Sequence, residues 1–388
     1  MFLFERLVGV ATYASVLVLV CFSLAMTKEI KHQKRILALY VVLLSVLSFF
    51  YVPYETADLY RITKYVVEFQ KYSFSDLIER GILNSEIGWA NVLYWSIGKT
   101  GIPQLLPSLT TFICYSCIFY IVYKTAKRNQ ISGKNVAIAL FFYMSIGTYM
   151  FVISGIRCML GTSLIVFCFY RESVEKKFNV FHIPLYLIAA LIHTFSVVLI
   201  AIRLLTPLFD KRNSFFKKMI YLVFLGLGTA LIISYFSDYI EQVWNKAEDY
   251  LSGDAYSYIW EYVIAILAFL IIVFCVCVKY KGIKKKSKIE LNGWIVYELL
   301  LFIISLLVFR EFTMFHRLTT YIMPIIALPF LMIALQADDC KQIEKNKRGQ
   351  FIKDPLVSFG VNVAFVSALI LFITCFRGSL CSFKFFVL

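Results

Sequence analysis

The sequence predicts an all-α, polytopic bundle of membrane helices, about ten to twelve including short or re-entrant segments. The first observation is bulk composition: 388 residues, 60% hydrophobic and only 16% charged, too apolar for a large water-soluble protein. The second is clustering. The apolar residues fall in runs of about 18 to 22, near the ~20 residues that a helix needs to cross ~30 Å of hydrocarbon. The third is periodicity, because no segment alternates apolar and polar residues as a membrane barrel would. The whole chain, 1–388, reads as a single integral membrane domain.

Ten runs predict spans, near Leu7 to Met26, Ile36 to Val52, Ile102 to Tyr123, Asn135 to Phe151, Gly155 to Tyr170, Phe216 to Phe236, Ile259 to Val278, Gly293 to Phe309, Leu318 to Leu335 and Leu356 to Phe376. The first is too long for a signal-peptide core and ends at Lys28 without a small-residue cleavage pattern, so it stays as a membrane helix. Two further segments are ambiguous. Ile87 to Lys99 covers about two thirds of the hydrocarbon, and Phe178 to Leu205 is longer than one span requires.

Loop charge favours one arrangement, with Phe178 to Leu205 as a single long tilted helix the alternative if another segment compensates. If both segments dip in and return, the basic loops Lys28 to Arg35, Lys124 to Lys134, Arg171 to Lys177, Lys211 to Lys218, Lys279 to Lys288 and Lys341 to Lys353 share the cytoplasmic side, as the positive-inside bias requires. The N-terminus, an extracytoplasmic segment at 53–86 and an acidic loop at 237–258 then lie outside. The same loops account for the formal net charge of +15, so nucleic acid is not an expected partner. Most of the ten cysteines sit in apolar runs, where a thiol behaves as a small hydrophobe. Cys114-x-x-Cys117 has no second pair or clustered histidine, which argues for packing over metal or redox chemistry.

Ionisable residues near membrane depth are costly and mark candidate sites. Asp58 and Arg61 follow the second span, on an amphipathic helix begun by Pro53; the bland alternative is a surface ion pair. Glu86 opens the short dipping segment, where it could equally cap a helix. Arg157 lies two residues inside an apolar run, an awkward place for a snorkelling side chain. Arg310 and Arg317 bracket an outer turn, and His193 sits mid-way along the long apolar segment, where a lone histidine is often a packing residue. Three guanidiniums gathered at one leaflet repel unless an anion lies between them. Their fork geometry suits phosphate oxygens, which points to a phosphate or pyrophosphate, entering from the bilayer as a lipid phosphate. Tyr54, Tyr60, Tyr65, Trp89, Trp95, Trp244, Tyr256, Tyr258 and Trp260 offer a sugar platform or, for most, an interfacial belt. No Walker loop, Gly-x-Ser-x-Gly elbow or His-Glu-x-x-His helix is present, which leaves nucleotide-driven chemistry without a recognisable site.

In order along the chain, Asp58-x-x-Arg61, Glu86-Ile87-Gly88-Trp89, Gly155-Ile156-Arg157, Ile192-His193-Thr194-x-Ser196 and His316-Arg317-x-x-x-Tyr321 before Pro324 resemble the EpsG-like branch of Wzy-type polysaccharide polymerases, over roughly residues 50 to 330. The resemblance implies a membrane-embedded (GT-C-type) glycosyltransferase in the bacterial inner membrane, its active site facing the periplasm or exterior. The substrate it implies is an undecaprenyl-pyrophosphate-linked oligosaccharide, used without nucleotide sugar, cofactor or catalytic metal. A chain-length regulator and a flippase are the implied protein partners. On this reading Arg157, Arg310 and Arg317, with Arg61 and Tyr321, bind the donor, and Glu86, His193 or Asp58 accepts the proton. An O-antigen ligase, another lipid-linked glycosyltransferase or a polysaccharide flippase stays open.

Overall fold

A computed structural model describes residues 2–53, 55, 57–84, 88–209, 213–235, 259–274, 292–309, 311–347 and 359–376. Among them the chain is helical with no strand, the all-α polytopic bundle that the apolar runs predict. The elements are α1 (Phe2–Met26), α2 (Ile30–Phe49), α3 (Asp58–Phe69), α4 (Phe74–Glu79), α5 (Gly88–Gly98), α6 (Leu105–Asn129), α7 (Gly133–Ser145), α8 (Thr148–Ser154) and α9 (Ile156–Ser173). They continue as α10 (His182–Ile192), α11 (Phe195–Phe209), α12 (Phe215–Tyr235), α13 (Ile259–Val273), α14 (Asn292–Leu307), α15 (Phe312–His316), α16 (Met323–Lys347) and α17 (Phe359–Phe376).

Four helical stretches among the described residues are long and apolar enough to cross a membrane, Val8–Met26, Ile30–Phe49, Leu105–Asn129 and Met314–Asp339. The stretch through α16 is 94% buried and forms the core, whereas α1 is 28% buried and lies at the periphery. The run expected as one span from Asn135 to Phe151 is instead two helices, α7 and α8, bent by 52°. The bend falls at Gly147, whose φ of 84° is open to glycine at little cost. The Thr374 side chain packs close beside it.

The described basic loops gather at one end. Gln33 donates to the Ile131 carbonyl at 3.2 Å, and Lys124 and Arg171 flank Glu175 at 3.7 and 3.8 Å. Asn135 donates to Gln336 and Asp339 at 3.0 and 2.9 Å, tying α7 to α16. Buried carboxylates at this end are thus neutralised where they are desolvated, as burial of charge demands.

Neither ambiguous segment forms a helix of spanning length. α5 has 11 residues, about 16 Å of helix. It lies along α3, with Gly98 against the Val66 carbonyl and Lys99 Nζ donating to the Gln70 carbonyl at 2.9 Å. α10 and α11 form a hairpin. Glu172, near the end of α9, accepts from Arg203 Nε at 3.0 Å and Nη2 at 2.5 Å, and meets His182 Nδ1 at 3.1 Å. His182 begins the hairpin and Arg203 lies on its returning arm, so both arms have a foot on one carboxylate. Gly161 of α9 makes the close approach possible, because a Cβ there would strike the Ser196 side chain and crowd the Ala189 carbonyl.

The segment after α2 forms a small helical cap. α3 buries Leu59, Ile62, Val66 and Phe69, the i, i+3, i+7, i+10 stripe of an amphipathic helix. It begins at Asp58 with Ala57 as its N-cap, five residues beyond the Pro53 start that the sequence suggests. α4 opens with a Ser73–Asp76 capping box. Hydrogen bonds from Asp76's own cap, led by the Ser73 side chain, hold its carboxyl below the usual value. Trp95 Nε1 donates to the Tyr72 carbonyl at 2.9 Å, so this indole pins the cap together.

Candidate active site

At the end of the bundle opposite the basic loops, a cavity of about 540 Å³ opens beneath the cap. Its wall collects residues that are remote in sequence: Tyr51 after α2, Asp58, Arg61 and Tyr65 from α3, Tyr94 from α5, Phe151 from α8 and Arg157 from α9. His193 joins them from the hairpin tip, and Arg317 and Tyr321 from the turn before α16.

Local structure explains each position. α8 stops at Gly155, and α9 restarts at Ile156. The first turn of α9 therefore opens on the cavity with Gly155, Ile156 and Arg157 in its wall. The unsatisfied N–H groups and dipole of a helix start favour negative charge there. A Cβ on Gly155 would sit 2.9 Å from the Phe151 carbonyl and 3.8 Å from the Tyr321 ring, so glycine keeps this break tight.

Arg317 and Tyr321 belong to a π-helical turn, Arg317–Ile322, between α15 and α16. Such widened turns recur at functional sites. Pro324 follows, and without an N–H it leaves the carbonyl four residues back without its α-helical donor. The Tyr321 ring packs on Phe151 with centroids 3.9 Å apart, and His316 meets Phe151 edge-on at 5.3 Å. This aromatic cluster locks α8 against the π turn and with it the separation of Arg157 from Arg317.

His193 is the C-cap of α10, with extended backbone that turns the chain into α11. Helix α10 rises from His182 beside Glu172 to the cavity, about 16 Å. The imidazole Nδ1 is buried and has no hydrogen-bond partner, unlike a histidine held in place by packing and bonding. Asp58 and Arg61 pair directly at the cavity mouth, with half or more of each side chain exposed. An exposed pair of this kind adds little stability.

Six of the eight residues that the sequence singles out therefore share this wall: Asp58, Arg61, Arg157, His193, Arg317 and Tyr321. Glu86 and Arg310 lie outside the described residues, as do Tyr54, Trp244, Tyr256, Tyr258 and the side chain of Trp260. Of the aromatic platform, Tyr65 lines the cavity. Tyr60 instead carries Lys64 over its ring at 4.6 Å, and Trp95 serves the cap. Tyr51, Tyr94 and Cys158 line the wall without having been marked by sequence. Each looks like an ordinary apolar or interfacial residue of its run, so no local pattern distinguishes it.

Among the described lining residues three guanidiniums face one carboxylate. The wall is cationic, lies at a helix start and is flanked by tyrosines, which suits a phosphate-bearing ligand with sugar attached. Cys114 and Cys117 are free thiols within α6, and Cys114 accepts from Ser163 at 3.3 Å. No group of three potential metal ligands occurs among the described residues.

No curated protein and no solved structure matches the chain. A model of the EpsG family matches residues 62–347, about three quarters of the sequence. The match begins one residue after Arg61 and takes in Arg157, His193, Arg317 and Tyr321. The hairpin, the break before α9 and the π turn all lie inside it, and the chain accordingly belongs to the EpsG family.

Proposed function

We propose that this protein is a polysaccharide polymerase that transfers a growing glycan from undecaprenyl pyrophosphate to another lipid-linked repeat unit at the outer face of the bacterial inner membrane. EpsG-family membership points to a membrane glycosyltransferase of the polymerase kind, and one observation supports the finer reading. Arg157 and Arg317, 160 positions apart in sequence, meet in one cavity with a histidine at a hairpin tip. The cavity lies at the end away from the described basic loops, which the positive-inside bias assigns to the cytoplasm.

In this mechanism the donor pyrophosphate sits between Arg157 and Arg317 at the start of α9, with Arg310 as a further cation from outside the described residues. The acceptor hydroxyl oxygen attacks the anomeric carbon of the donor glycan. The bond from that carbon to the pyrophosphate oxygen breaks, its electron pair leaves with the lipid pyrophosphate, and the hydroxyl proton passes to a base. Preorganised guanidiniums stabilise the charge that grows on the leaving oxygen, and they act strongly where water is scarce. His193 is favoured as base over Asp58, whose carboxylate is already engaged by Arg61; Glu86 is the other carboxylate for this role. Tyr321 and Tyr94 line the cavity beside the clamp, next to the sugar that the pyrophosphate carries.

The test is reconstitution of purified protein in lipid with a defined undecaprenyl-pyrophosphate-linked repeat. Chain lengthening is expected, with Arg157→Ala and Arg317→Ala each losing about 100-fold or more in rate while remaining in the membrane at normal level. Full-length polymer from both variants would overturn the proposed pyrophosphate clamp.

A further inference from the structure

A second cavity of about 460 Å³ lies on the cap. Its wall is formed by Tyr65, Glu68, Phe69 and Tyr72 of the α3 region, with Arg80, Ile82 and Asn91 opposite. Tyr65 lines both this cavity and the cationic one, so the two adjoin through a single ring. Its volume lies within the ~300–1,000 Å³ typical of small-molecule sites.

We propose that this groove is a carbohydrate subsite, which holds sugar rings of the glycan while its pyrophosphate-bearing end occupies the arginine cavity. This rests on the polymerase reading for the direction in which the glycan runs.

The lining chemistry carries the argument. Tyr65 is 45% exposed and stacks with Phe69 at 6.3 Å, and Phe69 in turn packs on Tyr72 at 5.9 Å. Tyr65 and Phe69, one turn apart on α3, and Tyr72 just past its end thus make a continuous strip. The Tyr72 hydroxyl donates to Glu68 Oε1 at 3.0 Å, and the Arg80 guanidinium lies over the Tyr72 ring at 4.4 Å. Asn91 Nδ2 donates to the Ile82 carbonyl at 3.2 Å, which fixes the amide in the wall.

A sugar ring has apolar C–H faces and a rim of hydroxyls that both donate and accept. It therefore needs ring surfaces beside a carboxylate, a guanidinium and an amide, the set assembled here. An acyl chain would strip water from the Glu68 carboxylate and the Arg80 guanidinium without replacing its hydrogen bonds, and a bare anion would be repelled by Glu68. The array is also braced from within: Arg80 stacks on the Tyr72 ring and Glu68 accepts from its hydroxyl, which lowers the entropic cost of binding.

The probe is a set of oligosaccharides of one to three repeat units, released from the producing organism's own polymer and free of lipid and phosphate. They are titrated against the full-length protein in lipid nanodiscs by saturation-transfer NMR and calorimetry. Saturable binding is expected for the wild type. Tyr72→Ala should weaken it about tenfold or more and Arg80→Ala several-fold, whereas Tyr72→Phe, which keeps the ring, should stay within about threefold. Arg157→Ala should bind these phosphate-free fragments as the wild type does. The exposed Arg80 keeps the test meaningful should Tyr72→Ala melt early.

Absence of saturable binding by the wild type, or equal affinity in Tyr72→Ala and Arg80→Ala, overturns the subsite. Fragment binding that is lost in Arg157→Ala but kept in Tyr72→Ala also overturns it, by placing the sugar in the arginine cavity. Tyr72-dependent binding without any chain growth on a lipid-linked repeat would sink the polymerase reading and leave the subsite standing.

Discussion

Removing the Glu172 carboxylate should unseat the hairpin that carries His193. Glu172 has only 8% of its side chain exposed and receives three contacts, two from Arg203 and one from His182. Hydrogen bonds to charged groups contribute ~1.5–3 kcal/mol each, and breaking a buried pair costs ~3–5 kcal/mol because the surviving charge has no partner. Arg203 retains 24% exposure and can turn partly toward water, so Glu172→Ala falls at the lower end, about 3 kcal/mol. That energy corresponds to about a hundredfold shift between seated and displaced hairpin. The direct assay is the maleimide labelling rate of Thr194→Cys, at the tip beside His193. The rate should rise at least tenfold in Glu172→Ala, along with a melting temperature lower by several degrees. Glu172→Ala combined with Arg203→Met should recover part of the loss, since no unpaired guanidinium is left. Unchanged labelling and melting in the single variant would refute the idea that this carboxylate holds both arms. A double variant no better than the single one would refute the charge argument specifically.

Two further outcomes follow from the cap. Gly98→Ala places a Cβ 2.5 Å from the Val66 carbonyl, which backbone cannot evade, so α3 and α5 must separate at a cost of ~1–3 kcal/mol; an unaltered melting curve would contradict that contact. The capping box of α4 depends on ionised Asp76, whose carboxyl is held below its ordinary 3.8 by Ser73. A lowered folded-state value means that the cap persists as pH falls through 3.8 and loosens only further down. Hydrogen exchange of the α4 amides, corrected for intrinsic rates, should show this, and Ser73→Ala should move the loosening to higher pH.

The helical class was legible because run length alone requires it, and the fold-back of Phe178 to Leu205 was legible because only then do Arg171 to Lys177, before it, and Lys211 to Lys218, after it, share a side. Arg157 and Arg317 stood out by their cost at membrane depth. The hub of the hairpin did not. Glu172, His182 and Arg203 are spread over 32 residues of loop and helix, and their meeting depends on how far two short helices rise before turning. The break at Gly147 was equally hidden, since an apolar run reads the same whether straight or bent by 52°. The second cavity escaped notice because Tyr72 and Arg80 sit in a polar stretch where neither is unusual; only the packing of α5 along α3 brings Asn91 opposite them.

The hairpin also dictates an order of assembly. Its arms have 11 and 15 residues, reaching about 16 and 22 Å, and neither can be released from the insertion machinery as a stable span of ~30 Å. The nascent chain must therefore already have α9 in place, with the Gly161 notch and the Glu172 anchor ready, before these arms find a resting place. Seating of His193 is in this sense a docking event that follows insertion, and its timing is written into helices too short to stand in lipid by themselves.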